Sequence, residues 1–189
     1  MTQQRKNFDR AYKLHAACAL REMRTELAYI SFRDGYAYAN NGSMVVKADL
    51  RRISTFHPDE YKIIEGKSIH MDNFRRLLNY KVANVTERGF EVNDQGKRLL
   101  IYFNDQTTIE YEDEIQDIFL KCSAFALVGL HKTGVRASQM RTAAQVLGSD
   151  TLRVDFYDGG NGRLLTRLSP VPLLGNAEAV IYEEVVCHE

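Results

Sequence analysis

The sequence predicts an α+β fold in which a unit of one helix and a three-stranded antiparallel meander recurs, with the helices on one side of the sheets. In three parts of the 189-residue chain, apolar residues first follow a helical period and then alternate as they do in strands. Turn signals such as Asp34-Gly35 and Asn41-Gly42 separate the alternating stretches. Because short turns join antiparallel neighbours, the three strands of each meander are expected to be antiparallel. Where a further strand precedes the helix, the order of elements in the unit is βαβββ.

The first unit lacks an opening strand and begins with a helix predicted over residues 7–24. The apolar face of this helix carries Phe8, Tyr12, His15 and Ala19. Three strands are predicted to follow, at residues 27–32, 36–39 and 44–48.

The second and third units repeat this order. The second has a strand at 67–70, a helix at 71–80 and strands at 83–92, 98–103 and 107–111. The third has a strand at 125–130, a helix at 135–147 and strands at 152–157, 163–168 and 177–185. Gly148 is a natural left-handed cap for the third helix.

A stripe of basic residues lies along one face of the predicted first helix, within an arc of roughly 80° that holds no Asp or Glu. Its members are Lys6, Arg10, Lys13, Arg21 and Arg24. Like charges at helical spacing oppose each other, so such a stripe suits an anionic partner, and a line of cations matches a phosphate backbone. An ordinary solvated helix face is the alternative interpretation.

Overall composition restricts the class of protein without deciding its function. The 25 basic and 25 acidic residues balance, but the acidic run at residues 110–117 is separate from the basic N-terminal part. The three cysteines form no CxxC pair, which argues against a disulfide framework or a zinc cluster and favours a reducing cytoplasm. No apolar stretch approaches the ~18 residues that span a membrane, and the charged start lacks a signal-peptide core. We therefore expect a cytoplasmic protein.

Several segments resemble the DNA sliding clamps, in particular the bacterial polymerase III beta subunits. Residues 27–48 resemble a clamp strand, its Asp-Gly turn and two further strands, with Ala39-Asn40-Asn41-Gly42 in the place of Ala-Thr-Asp-Gly. Residues 56–63 are similar to the Phe-Pro-Asp-Tyr linker of that family, with two inserted residues. Residues 123–186 are similar in layout to the closing half of a clamp, although the proline of its Met-Pro ending is absent.

This resemblance implies a clamp-like fold whose helices carry Lys and Arg towards the backbone of double-stranded DNA. The residues that match this role are the basic stripe of the first helix, Arg75 and Arg76 of the second, and Arg141 of the third. Arg75 and Arg76 point about 100° apart, and a single Arg141 also fits an ordinary helix face.

The number of repeated units in this chain differs from the number in the sliding clamps. Three units amount to one clamp-like domain, residues 1–118, and a half-domain, residues 119–189. An isolated half-domain exposes a sheet edge and an apolar face, so we expect a homo-oligomer. A compact monomer that never encircles DNA is the alternative.

No pattern of catalytic residues is evident. The five histidines lack metal-ligand spacing, and the glycine-rich stretch 158–162 lacks the Gly-Lys-Ser/Thr of a phosphate loop, so neither a metal nor a cofactor is expected. The leading hypothesis is a non-enzymatic clamp-like DNA-binding protein, such as a replication accessory factor. One alternative is a protein-interaction module that holds peptide partners, with residues 110–117 as an acidic docking segment. Another is an enzyme with a pocket of titratable groups.

Overall fold

A computed structural model of the protein describes residues 4–18, 25–42, 44–104, 137–158, 163–170 and 177–184. It is a mixed α+β structure in which strands of two antiparallel sheets outnumber short helices. The predicted class, α+β with antiparallel sheets, is confirmed. Predicted elements at 107–111 and 125–130, and the part of the first helix at 19–24, lie outside the described residues.

The larger sheet has seven strands in the order β4-β1-β2-β3-β10-β9-β8. Its strands are β1 (Tyr29–Arg33), β2 (Tyr36–Asn40), β3 (Met44–Asp49), β4 (Ser68–His70), β8 (Leu152–Asp158), β9 (Arg163–Pro170) and β10 (Ala177–Glu184). All neighbouring pairs are antiparallel. The β1–β2 hairpin turns through Asp34 and Gly35 at φ of 52° and 79°, the left-handed values that a two-residue hairpin turn requires.

The smaller sheet has three strands in the order β5-β6-β7. They are β5 (Ala83–Thr86), β6 (Gly89–Asp94) and β7 (Lys97–Tyr102). The sequence predicts one strand over residues 83–92, and this prediction is wrong, because a turn at Glu87 and Arg88 splits the stretch into β5 and β6. Gly89 permits the close return: a Cβ at this residue would lie 2.0 Å from the carbonyl oxygen of Ile101.

Four α-helices connect the strands of the described part: α1 (Leu50–Ile53), α2 (Pro58–Ile64), α3 (Met71–Leu77) and α4 (Ala137–Leu147). Helix α4 ends at Gly148, where φ is 63°, as predicted. Helix α2 occupies the segment that resembles a linker. Pro58 in its first turn and a capping box between His57 and Glu60 start this helix.

The third predicted unit joins the first through a strand pair. Strand β10 lies beside β3, with Ala179 opposite Val46 and Ile181 opposite Met44, so residues of both predicted domains share one sheet. The inner edge of the third meander is therefore paired within the chain. The boundary near residue 118 remains a prediction.

The core lies between one face of the larger sheet, the helices and the smaller sheet, and Phe8 lies at its centre. The centroid of the Phe8 ring lies 5.9 Å from that of Phe32 of β1, 4.9 Å from that of Phe74 of α3 and 5.7 Å from that of Phe90 of β6. Phe56 completes the cluster with its ring 5.0 Å away. One N-terminal side chain thus contacts both sheets and a helix.

The helix predicted over residues 7–24 is wrong for its first half. Residues 6 and 8 make isolated bridges to Val82 and Ser54, and a 3₁₀ turn follows at Leu14–Ala17. The backbone N–H of Asp9 donates to the Ile53 carbonyl at 2.7 Å, which is a bond to another segment rather than to a preceding helical turn. Of the predicted apolar face, Phe8 is buried and Tyr12 and His15 are half-buried, so the apolar spacing reflects burial although residues 6–13 form no helix.

Candidate nucleic-acid interface

Lys6 extends the smaller sheet and is engaged at both its backbone and its side chain. Its N–H donates to the Lys81 carbonyl at 3.0 Å, and its own carbonyl accepts from the Ala83 N–H at 2.8 Å. Its Nζ forms an ion pair with Glu60 at 2.8 Å and donates to Asn84 at 3.3 Å. The charge of Lys6 is therefore already balanced inside the protein.

Arg10 binds the end of α3. Its Nε donates to the Leu78 carbonyl at 2.8 Å and its Nη2 to the Asn79 carbonyl at 2.7 Å. Arg5 also donates to the Leu78 carbonyl, at 3.3 Å, and the buried side chain of Asn7 donates to the Leu77 carbonyl at 2.8 Å. Carbonyls at a helix C-terminus lack helical partners and carry partial negative charge, so these residues act as a cap.

Three further cations lie on two elements that pack together, one directly before the Leu14–Ala17 turn and two on α3. Lys13, Arg75 and Arg76 are exposed, and no described carboxylate forms an ion pair with them. Burial, followed by the charges of Arg75 and Lys13, lowers the pKa of His15, whereas Asp72 raises it. Lys13 directly precedes the Leu14–Ala17 turn, and this turn contacts α3, so Lys13 and Arg75 lie on elements that pack together.

We call Arg10, Lys13, Arg75 and Arg76 the basic surface. Residues 4–18 and 71–81, which build it, contain seven basic and two acidic residues. Exposed guanidinium and ammonium groups donate hydrogen bonds and attract anions, and phosphate oxygens are the acceptors they match best. The arrangement suits contacts with a phosphate backbone, which position a protein on nucleic acid without reading its bases.

The remaining predicted site residues are Arg141, Arg21 and Arg24. Arg141 is exposed on α4, which packs against the Leu14–Ala17 turn. Arg21 and Arg24 lie outside the described residues, as does the acidic run at 110–117. The predicted helical stripe is therefore wrong for Lys6, Arg10 and Lys13, because none of these three residues lies on a helix. Their contact with DNA stays a prediction.

The described residues also include no cluster of His, Cys, Asp or Glu able to hold a metal ion. Burial raises the pKa of Cys18 to about 12, so its thiol is not activated as a nucleophile. Within the described ranges, no helix has the length and apolar character needed to cross a membrane.

Asn7, Arg5 and Glu60 were not identified from the sequence as residues whose side chains link separate segments of the chain. Glu60 accepts hydrogen bonds from the His57 N–H at 2.8 Å and the Val85 N–H at 3.2 Å in addition to its pairing with Lys6. The pattern His57-Pro58-Asp59-Glu60 was a usable signal, because Pro followed by Glu is typical of a helix start. No comparable signal marks Asn7, whose partners lie at residues 77 and 80.

No protein-family model and no curated protein matches the chain. The solved structure of the DNA polymerase III subunit beta from Pseudomonas aeruginosa is similar at 14% identity, with a TM-score of 0.35, over 92% of this chain and 50% of that chain. The chain thus spans about half the length of that subunit. The match names the family that the sequence resembles, but a TM-score this low carries no argument about what this chain binds.

Proposed function

We propose that the protein is a non-enzymatic DNA-binding protein that contacts the phosphate backbone of double-stranded DNA through the basic surface. The observation that supports this proposal is that Lys13, Arg75 and Arg76 are exposed on two elements that pack together and form no ion pair in the described part of the chain. A surface of this kind gives binding that depends on salt and is indifferent to sequence.

The test reverses three charges, in the variant Lys13→Glu, Arg75→Glu, Arg76→Glu. Arg10 stays unchanged because it caps α3, so its loss would confound folding with binding. For a 20-base-pair duplex at low salt, we expect affinity to fall roughly 10- to 100-fold and the slope of log K against log salt to decrease by about three.

The matched control is Arg51→Glu, Arg88→Glu, Lys97→Glu, which changes the net charge equally at exposed residues on other elements. This control should keep most of the affinity and the original slope. Equal loss in both triple variants would mean that total charge rather than the basic surface determines binding. Unchanged affinity in the Lys13, Arg75, Arg76 variant would refute the proposal, provided that thermal unfolding shows an intact fold.

We further propose a closed homo-oligomer, which rests on the sequence resemblance to clamps alone. Light scattering behind a sizing column, repeated at several dilutions, measures the mass of the assembly. A discrete oligomer that resists dilution is the expected result. A monomer at every concentration would leave a DNA binder that does not encircle its ligand.

A further inference from the structure

The smaller sheet presents a polar face away from the core. Side chains alternate along its strands, so that Val85, Phe90, Val92 and Ile101 are buried on one face. The opposite face, which we call the outward face, carries Asn84, Glu91, Asn93, Arg98, Leu100 and Tyr102. Cross-strand pairs such as Asn84 with Glu91 and Asn93 with Arg98 set these side chains next to one another.

Tyr102 stands out on the outward face. It is 61% exposed, and in the part of the chain that the structure describes it is the one exposed large hydrophobic side chain. Its partner across the ladder is Gly89, which has no side chain to cover the ring. An accessible aromatic ring on a sheet is a platform on which a planar group can stack.

A cleft of about 650 Å³ lies at the other end of the outward face. Its polar lining includes Lys81, Asn84, Glu91, Asn93 and Arg98. Glu91 accepts from Arg98 Nε at 2.8 Å, so its negative charge is matched. Lys81 has no ion-pair partner among the described carboxylates, which leaves the lining with an excess positive charge.

The amides of the cleft add hydrogen-bond donors. Asn84 Oδ1 accepts from Lys6 Nζ at 3.3 Å, and Asn93 Oδ1 accepts from the Gly96 N–H at 2.9 Å. Their oxygens are thus engaged within the protein, while each Nδ2 retains two N–H donors. A lining rich in donors and positively charged suits a ligand with phosphate and carbonyl oxygens.

We propose that the outward face binds a short single-stranded segment of nucleic acid, with one base stacked on Tyr102 and neighbouring oxygens held in the cleft. Arg98 and Tyr102 are four residues apart on β7, which corresponds to about 13 Å along the strand, a distance that a few nucleotides cover. Bases in a duplex are paired and stacked, so an isolated ring can stack only on an unpaired base. The inference rests on the proposed function for the class of ligand and adds that part of the ligand is unpaired.

The experiment uses the absence of tryptophan from the chain. Tyr102→Trp places a single fluorescent indole on the platform, and Gln145→Trp, at an exposed residue of α4, is the matched control. Titration with oligothymidylate of about 12 nucleotides should quench the indole at residue 102 saturably and leave the indole at residue 145 unchanged. Tyr102→Ala should weaken binding about tenfold, and Tyr102→Phe should retain it.

A second variant tests the cleft. Lys81→Glu should weaken oligothymidylate binding and lower its salt slope by about one. Absence of quenching at residue 102, or unchanged affinity of Tyr102→Ala, would overturn the inference, since that exposed ring can be removed without opening the core. If these oligothymidylate tests fail while duplex binding is intact, only the inference about the outward face is refuted. If oligothymidylate quenches the indole at residue 102 but the triple charge reversal leaves duplex affinity unchanged, the proposal about the basic surface is refuted instead.

Discussion

The ring of Phe8 lies 5.7 Å from that of Phe90 and is itself 1% exposed, so the N-terminal segment reaches the buried side of the smaller sheet. Phe8→Ala removes the centre of the aromatic cluster and should lower the free energy of unfolding by about 3–5 kcal/mol. Phe8→Leu should cost less, because it keeps part of the apolar volume. Urea unfolding followed by circular dichroism measures both. A loss below ~1 kcal/mol for the alanine variant would contradict the central position of Phe8.

Glu60 links three segments through one carboxylate. Burial acts to raise its pKa, but the hydrogen bonds from Lys6, His57 and Val85 outweigh burial and lower the pKa overall. A lowered pKa means that the stabilisation is present above the unfolded-state pKa of about 4.3 and is lost as pH falls through the folded-state value.

Glu60→Gln should therefore cost roughly 1–2 kcal/mol of unfolding free energy at pH 7. The difference from the wild type should shrink below about pH 4.5. Glu87→Gln, at an exposed turn residue, is the control and should leave stability nearly unchanged. A difference that stays constant from pH 7 to pH 3 would exclude an ionic contribution from Glu60.

Arg10 and Lys13 should differ in what they contribute. Arg10→Met removes two hydrogen bonds to the carbonyls that end α3 and should lower the unfolding free energy by about 1–2 kcal/mol. Lys13→Met removes an exposed charge and should change stability by less than about 0.5 kcal/mol. Thermal unfolding of the pair measures this contrast, and equal stability of the two variants would argue against the capping role.

Alanine variants of Gly148 and Gly66 distinguish the cost of backbone strain from the cost of steric crowding. Both have positive φ, 63° and 71°, but a Cβ at residue 148 would lie 3.2 Å from the Cβ of Ala11, whereas nothing lies within 4 Å at residue 66. Alanine at either position should cost about 1–2 kcal/mol for the left-handed conformation. Gly148→Ala should cost more in urea unfolding. Equal losses would show that Ala11 moves aside readily.

Elements specified by nearby residues could be predicted from the sequence. The Asp34-Gly35 hairpin turn needs only residues with access to positive φ, and the cap of α4 at Gly148 follows the same rule. Helix α3 was predicted from its own apolar period, and this placed Arg75 and Arg76 correctly on an exposed surface.

The conformation of residues 6–13 depends instead on distant partners. Asn7 and Arg10 bind carbonyls at residues 77–80, and Asp9 binds the carbonyl of residue 53. An apolar period of helical type cannot distinguish this segment from a helix, because Phe8, Tyr12 and His15 keep their helical spacing and are buried or half-buried here although residues 6–13 form no helix. The predicted stripe failed for this reason, while Lys13 remained exposed.

The pairing of β3 with β10 has a consequence for synthesis of the chain. Val46 and Ala179 are neighbours in the sheet, so the edge of β3 stays without this partner while more than a hundred further residues are translated. During that interval the edge can pair with another nascent chain, so we expect closure of this seam to depend on chaperones and on the speed of elongation.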